Sequence, residues 1–183
     1  MTRLHLVRHG RAAAGWGTDP DPGLDDVGRS QAEQVADRLA LMGPLAVVTS
    51  PLLRCQETSR PLCERWDVAA TVEPLVAEIP SPSGMAVVDR VEWLRIAMAG
   101  TWGALGAPFV GFRDRVVSAL LALPEDTVVF SHFVAINAAI GAAIADDRMV
   151  IRRLDNCSVT VFDVVDGSLR LVEAGDEADT LIR

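Results

Sequence analysis

Short apolar runs alternate along the chain with longer stretches in which apolar residues recur every three or four positions. The first run, Leu4-His5-Leu6-Val7, ends at Arg8-His9-Gly10 and predicts a strand followed by a sharp turn that Gly10 permits. Residues 11–23 are rich in Ala, Gly, Asp and Pro and read as a loop. Val27, Ala32, Val35, Leu39 and Met42 fall near helical spacing. They predict a helix capped by Asp25 or Asp26 and stopped by Gly43-Pro44. A second strand is expected over Leu45–Thr49, and Ser50-Pro51 opens a helix over 52–66 with proline in its first turn. A third strand over 68–72 leads into a prolyl loop, 73–85, and then a helix over 87–99. After a loop at 101–108 come a helix over 109–123, a buried strand over 127–130 and an apolar helix over 135–145. Strands at 159–165 and 169–172, joined at Asp166-Gly167, form a terminal hairpin. Strands and helices that alternate through short links predict an α/β fold, a three-layer α/β/α sandwich over a mostly parallel sheet.

Composition narrows the function. The 183 residues fit one domain, 1–183, and with half of them hydrophobic the chain can bury a sizeable core. A net charge of -8 argues against nucleic acid and anionic membranes as partners. An anionic substrate must then be drawn by a local cationic pocket rather than by the field of the whole molecule. Three cysteines without C-x-x-C spacing and only three histidines give no basis for a zinc site, and no metal or cofactor is expected. The cysteine usage and the lack of a signal-type apolar segment point to a reducing cytoplasm. The most apolar long stretch, Phe133 to Ala145, is too short to span a bilayer.

In sheets of this kind ligands bind at the carboxyl ends of the strands. Strand one ends in Arg8-His9, strand two in Thr49-Ser50 with Arg54 one turn into the next helix, and the strand over 127–130 in Ser131-His132. Two histidines and two arginines therefore fall on one sheet edge, a composition suited to an anion. Each taken alone has an ordinary alternative. A strand-end histidine is commonly structural, and Arg54 on a helix surface would pair with Glu57 or Glu64. His5 lies mid-strand and reads as structural.

Four segments then carry a specific resemblance. Leu6-Val7-Arg8-His9-Gly10 resembles the signature of the histidine phosphatase superfamily, the phosphoglycerate mutase-like proteins. Leu24 to Ala32 resembles that family's L-[ST]-x-x-G-x-x-Q-A helix start, and Ser50 to Thr58 its S-P-L-x-R-x-x-Q-T helix. Val128-Val129-Phe130-Ser131-His132 resembles the strand that ends in the second histidine. The resemblance implies a phosphoglycerate mutase-like sandwich and assigns His9 as the nucleophile. It assigns Arg8, Arg54 and His132 as ligands of the transferred phosphoryl group. Backbone N–H groups of Phe133 and Val134, at a helix start, would add to them. The family also places a carboxylate in the loop after the third strand. Its L-x-E spacing favours Glu78 as general acid and base, with Glu73 as the alternative.

The chain departs from the family at several positions. Arg11 and Gly15 stand where many mutases have Glu or Gln and Asn, and Phe133 follows the second histidine where small residues are common. Trp16, Trp93 and Trp102 lie near variable segments, as lid or core residues. The resemblance implies a phosphatase that acts on a small phosphorylated metabolite or a phosphorylated protein side chain. The competing readings are a phosphomutase, whose phosphohistidine must outlast attack by water, and a phosphate-binding module without catalysis.

Overall fold

The structure, a computed structural model, describes residues 1–15 and 19–178. Its strands are β1 (Thr2–Arg8), β2 (Ala46–Thr49), β3 (Thr71–Val72), β4 (Thr127–Ser131), β5 (Val159–Val165) and β6 (Ser168–Glu173). Its helices are α1 (Asp26–Ala40), α2 (Leu53–Trp66), α3 (Arg90–Met98), α4 (Trp102–Leu105), α5 (Ala107–Leu121) and α6 (Phe133–Ile144). The sheet runs β3-β2-β4-β1-β5-β6. The pairs from β3 to β1 are parallel, and the two that attach the terminal hairpin are antiparallel.

Alternation along the strands builds the three layers. Val7, Val47, Val128 and Phe130 pack on one face under α1 and α2, through Val35, Leu39 and Leu62. Their neighbours Leu6, Val48 and Val129 point the other way, into a core with Leu94, Trp102, Phe112, Leu120, Ile136 and Ile140 from α3 to α6. Successive strand side chains take opposite faces, so a continuous apolar run reads as a strand covered on both sides.

The differences from the sequence expectations are local. The third strand pairs only at Thr71–Val72, at the sheet edge, where it meets Val48 and Thr49 at the end of β2. Residues 101–108 contain a short helix, α4, which Thr101 caps by accepting from the Ala104 N–H. Trp102 of that helix is fully buried and is a core residue. Trp93 packs partly buried against the same core, its ring 5.4 Å from that of Phe109. Trp16 lies outside the described residues. Helix α6 starts at Phe133, directly after His132, two residues earlier than its apolar run suggests. Among the described residues no helix is long and apolar enough to cross a membrane.

Candidate active site

Strand register brings the two histidines together. β1 and β4 are parallel neighbours with Arg8 opposite Ser131, so His9 and His132 leave the sheet at the same height. Their ring centroids are 5.2 Å apart. β2 lies on the far side of β4 with Thr49 opposite Phe130, which puts Ser50 and the start of α2 beside the same edge. Arg54 then reaches back into the site and is only 3% exposed, so it is no surface residue. It donates through Nε to His9 Nε2 at 3.2 Å and through Nη2 to His132 Nδ1 at 3.2 Å.

These contacts fix both tautomers. The Nδ1–H of His9 donates to the Gly10 carbonyl at 2.8 Å, which leaves a lone pair on Nε2. Burial, with Arg54 and Arg8 close by, holds His9 well below the usual 6.5 of a histidine, so its ring is neutral. His132 donates through Nε2 to Ser50 Oγ at 2.7 Å and presents Nδ1 to Arg54. Burial and the neighbouring cations lower its pKa strongly as well. A phosphate dianion between the rings would oppose that shift and favour the imidazolium.

Arg8 is buried beside them. Its Nη1 donates to the Leu154 carbonyl at 2.5 Å, and its guanidinium lies 5.1 Å from the centroid of the Phe133 ring. Phe133, unusual after the second histidine, is therefore a platform under Arg8. Burial lowers the Arg8 pKa, yet an arginine stays charged at any working pH.

Of the two candidate carboxylates, Glu78 is in the site. It lines a pocket of about 180 Å³ together with Arg54 and Arg90, with Leu52, Ile79 and Pro80 as apolar wall. It accepts from the Ile79 N–H at 3.0 Å. Burial raises its pKa above the usual 4.5, against the lowering pull of the Ile79 and Val134 N–H groups and both arginines. Glu73 instead caps the 3-10 turn Pro74–Val76, accepting from the Leu75 N–H at 2.9 Å.

The remaining motif residues hold the His9 loop. A Cβ on Gly28 would lie 2.1 Å from the Arg11 carbonyl oxygen, and one on Gly10 2.7 Å from that of Gly28, so α1 and the loop meet backbone to backbone. Gln31 accepts from the Arg11 N–H at 2.9 Å. Thr58 accepts from the Gly10 N–H at 3.0 Å and donates to the Arg54 carbonyl at 2.6 Å, tying the His9 loop to α2 at Arg54. Arg11 pairs with Asp25 at 2.6 Å, and Asp25 stands where the family pattern has Ser or Thr. Gly15 accepts at 3.4 Å from the Asp19 N–H.

Two groups of site residues had no readable signal. Asn156 donates to the His9 carbonyl at 2.9 Å, while nearby the Cys157 N–H donates to the Arg8 carbonyl and the Arg8 N–H to the Ser158 carbonyl. Asp21 caps α2 by accepting from the Leu53 N–H at 2.8 Å and stands 3.9 Å from Arg54 Nη1. A polar loop residue far along the chain carries no mark of this in its own surroundings. His5 is half-buried within β1, away from the strand end. Among the described residues no group of three or more His, Cys, Asp or Glu is placed to hold a metal ion.

A parallel-centred sandwich whose strand ends present two neutral histidines between two buried arginines defines an α/β protein of the histidine-phosphatase type. The chain belongs to the histidine phosphatase superfamily (branch 1), whose model matches residues 4–177. An uncharacterized protein of Mycobacterium tuberculosis, Rv0525, is 35% identical to it over 133 residues, 65% of this chain. The chain spans 64% of that relative's length. A probable phosphoglycerate mutase, GpmB, of an Enterobacter species is 27% identical over 89% of this chain and 85% of its own. Among solved structures, the mycobacterial glucosyl-3-phosphoglycerate phosphatase Rv2419c aligns with a TM-score of 0.73 at 22% identity, covering 97% of this chain and 98% of its own.

Proposed function

We propose that this protein hydrolyses phosphate monoesters of small molecules through a phosphohistidine on His9. Arg8, Arg54 and His132 hold the transferred phosphoryl group, and Glu78 moves the protons. The observation that carries this reading is the fixed tautomer of His9, with Nδ1–H committed to Gly10 and the Nε2 lone pair directed at Arg54. A nucleophile that starts neutral needs no base to activate it. Nε2 attacks phosphorus, the ester P–O bond breaks, and the leaving alkoxide takes the proton of Glu78. Water then attacks the phosphohistidine and gives a proton back to Glu78. Orthophosphate departs and His9 is restored. The arginine forks and the His132 imidazolium meet the charge that spreads over the equatorial oxygens.

Two further observations support hydrolysis of a small substrate. The cavity of about 180 Å³ beside Arg54 and Glu78 is below the range of roughly 300–1,000 Å³ typical of drug-sized ligands, which favours a small group beyond the phosphate. The solved phosphatase and the probable mutase reported above are both named for phosphorylated metabolites. A mutase must keep its phosphohistidine from water. Arg11, at a position where many mutases have Glu or Gln, is paired through its Nε with Asp25, which favours hydrolysis over mutase action.

The test is to trap the intermediate. After incubation with a labelled phosphate ester and a rapid alkaline quench, the label should map to His9, survive base and be lost in acid. Label on a serine, or an active enzyme with none, would falsify the mechanism.

A further inference from the structure

Arg8 carries its charge into the interior, where it is only 6% exposed. A buried cation must recover the hydration it leaves behind. Burial is accordingly the largest influence on its pKa, downward, with the charges of Glu78 and Asp155 acting the other way. The Leu154 carbonyl takes an Nη1 hydrogen, and Phe133 presents its ring to the central carbon of the guanidinium. A ring face attracts a cation through its quadrupole. Unlike a carboxylate, it neither neutralises the charge nor competes with a phosphate for the N–H groups. The ring is itself fixed. Phe133 is the first residue of α6, is 8% exposed, and packs in the core that contains Val134, Ile136 and Ile140. Its carbonyl accepts from Asn137 Nδ2 at 3.0 Å.

We infer that Phe133 is a positioning residue, which sets the affinity of the phosphoryl site through the attraction of its ring face for Arg8. This rests on the hydrolase reading, in which Arg8 holds the transferred group, and adds a residue that acts through Arg8. Phe133 directly follows His132, so one short stretch of chain supplies a ligand of the phosphoryl group and the support of another. A small side chain at this position would leave a gap beside the guanidinium, in which the fork could turn away from the anion.

The experiment replaces Phe133 with phenylalanines that carry one, two and three ring fluorines. Each fluorine draws electron density from the ring face and weakens its hold on a cation, while the shape changes little. Two quantities are read: Kd for inorganic phosphate, by calorimetry, and kcat/KM for an activated aryl phosphate. Both should worsen step by step with fluorine number, by roughly tenfold across the series, as the attraction of a desolvated pair implies. Phe133→Leu, apolar but without a ring face, should lie at the end of the series or beyond it. A contact made both before and during the reaction raises KM more than it lowers kcat, and the losses should divide that way. The same fluorinated series at Phe162, fully buried at mid-strand in β5, should leave both quantities unchanged. Thermal midpoints matching wild type identify variants that remain folded. A flat series at Phe133, tighter phosphate with added fluorine, or an equal trend at Phe162 would overturn the inference. If the wild-type protein binds inorganic phosphate but hydrolyses no ester, the hydrolase reading falls, and the phosphate series alone still decides the role of Phe133. A wild-type protein that binds no phosphate would sink both.

Discussion

Glu78 and His9 are shifted in opposite senses from their usual values, and that sets a pH profile. Catalysis as proposed needs His9 neutral and Glu78 protonated in the first step. The rate should rise with pH through the His9 pKa, held well below 6.5 by burial and by Arg54 and Arg8. It should fall with pH through the Glu78 pKa, which burial lifts above 4.5. Glu78→Gln should remove the alkaline limb. It should also slow an alkyl phosphate on the order of a hundredfold to a thousandfold, and an activated aryl phosphate far less, because an aryl alcohol departs without a proton. The substrate's own ionisation is common to both enzymes and cancels in the comparison. Small, equal losses on both substrates would take Glu78 out of the proton path. Spacing after Leu75 favours Glu78 over Glu73, but the assignment to the pocket comes from the turn at Pro74–Val76, which commits Glu73 as its cap.

At the scale of elements, α6 is an apolar helix with one buried amide, and that amide ties it to the segment behind Arg8. Asn137 Oδ1 accepts from the Ile151 and Arg152 N–H groups at 2.8 and 2.9 Å, and Nδ2 donates to the Phe133 and Arg152 carbonyls at 3.0 and 3.1 Å. The same segment continues to Leu154, whose carbonyl holds Arg8, and to Asn156, which holds the His9 carbonyl. Asn137→Leu keeps the shape and orphans two half-buried N–H groups. It should cost about 3 kcal/mol of stability, taking ~1–3 kcal/mol for each orphaned group. Urea unfolding would measure it, and a change below about 0.5 kcal/mol would mean water replaces the amide. Phosphatase activity of the folded fraction should fall as well, because Arg8 and His9 lose their backing. An apolar pattern predicts this helix, but it cannot tell that the one polar position inside it faces a loop fourteen residues on.

At the scale of the molecule, a buried carboxylate anchors the antiparallel hairpin to the parallel sheet. Asp163 of β5 pairs with Arg3 of β1 at 2.8 Å and with Arg170 of β6 at 2.6 Å. Hydrogen bonds from these two arginines hold its pKa down at about 2, from a usual 3.8. A carboxylate depressed on folding stabilises the native state above its unfolded pKa and loses that contribution as pH falls through the folded one. The difference in unfolding midpoint between wild type and Asp163→Asn should be constant above about pH 4 and should shrink between pH 4 and about 2. A difference independent of pH over that interval would mean the carboxylate's charge contributes nothing. Both arginines are partly exposed, so added salt should weaken the effect.

Amino-acid order alone determined the strands, every helix but α4, the layering, and the four groups that meet at the sheet edge. Those features rest on local signals: apolar alternation, helical spacing, and turn residues directly after apolar runs. Parallel pairing then brings strand ends to one edge, so His9, His132, Arg8 and Arg54 could be grouped before any contact was known. Tertiary structure alone decided the tautomers of both histidines, the pairing of Arg11 with Asp25, the platform of Phe133 under Arg8, and the entry of Arg90 into the pocket. Each depends on contacts that local spacing does not encode. Asn156 reaches His9 across 147 positions, and burial, which sets the charge of His9 and Glu78, is a property of the packed molecule rather than of any stretch of its chain.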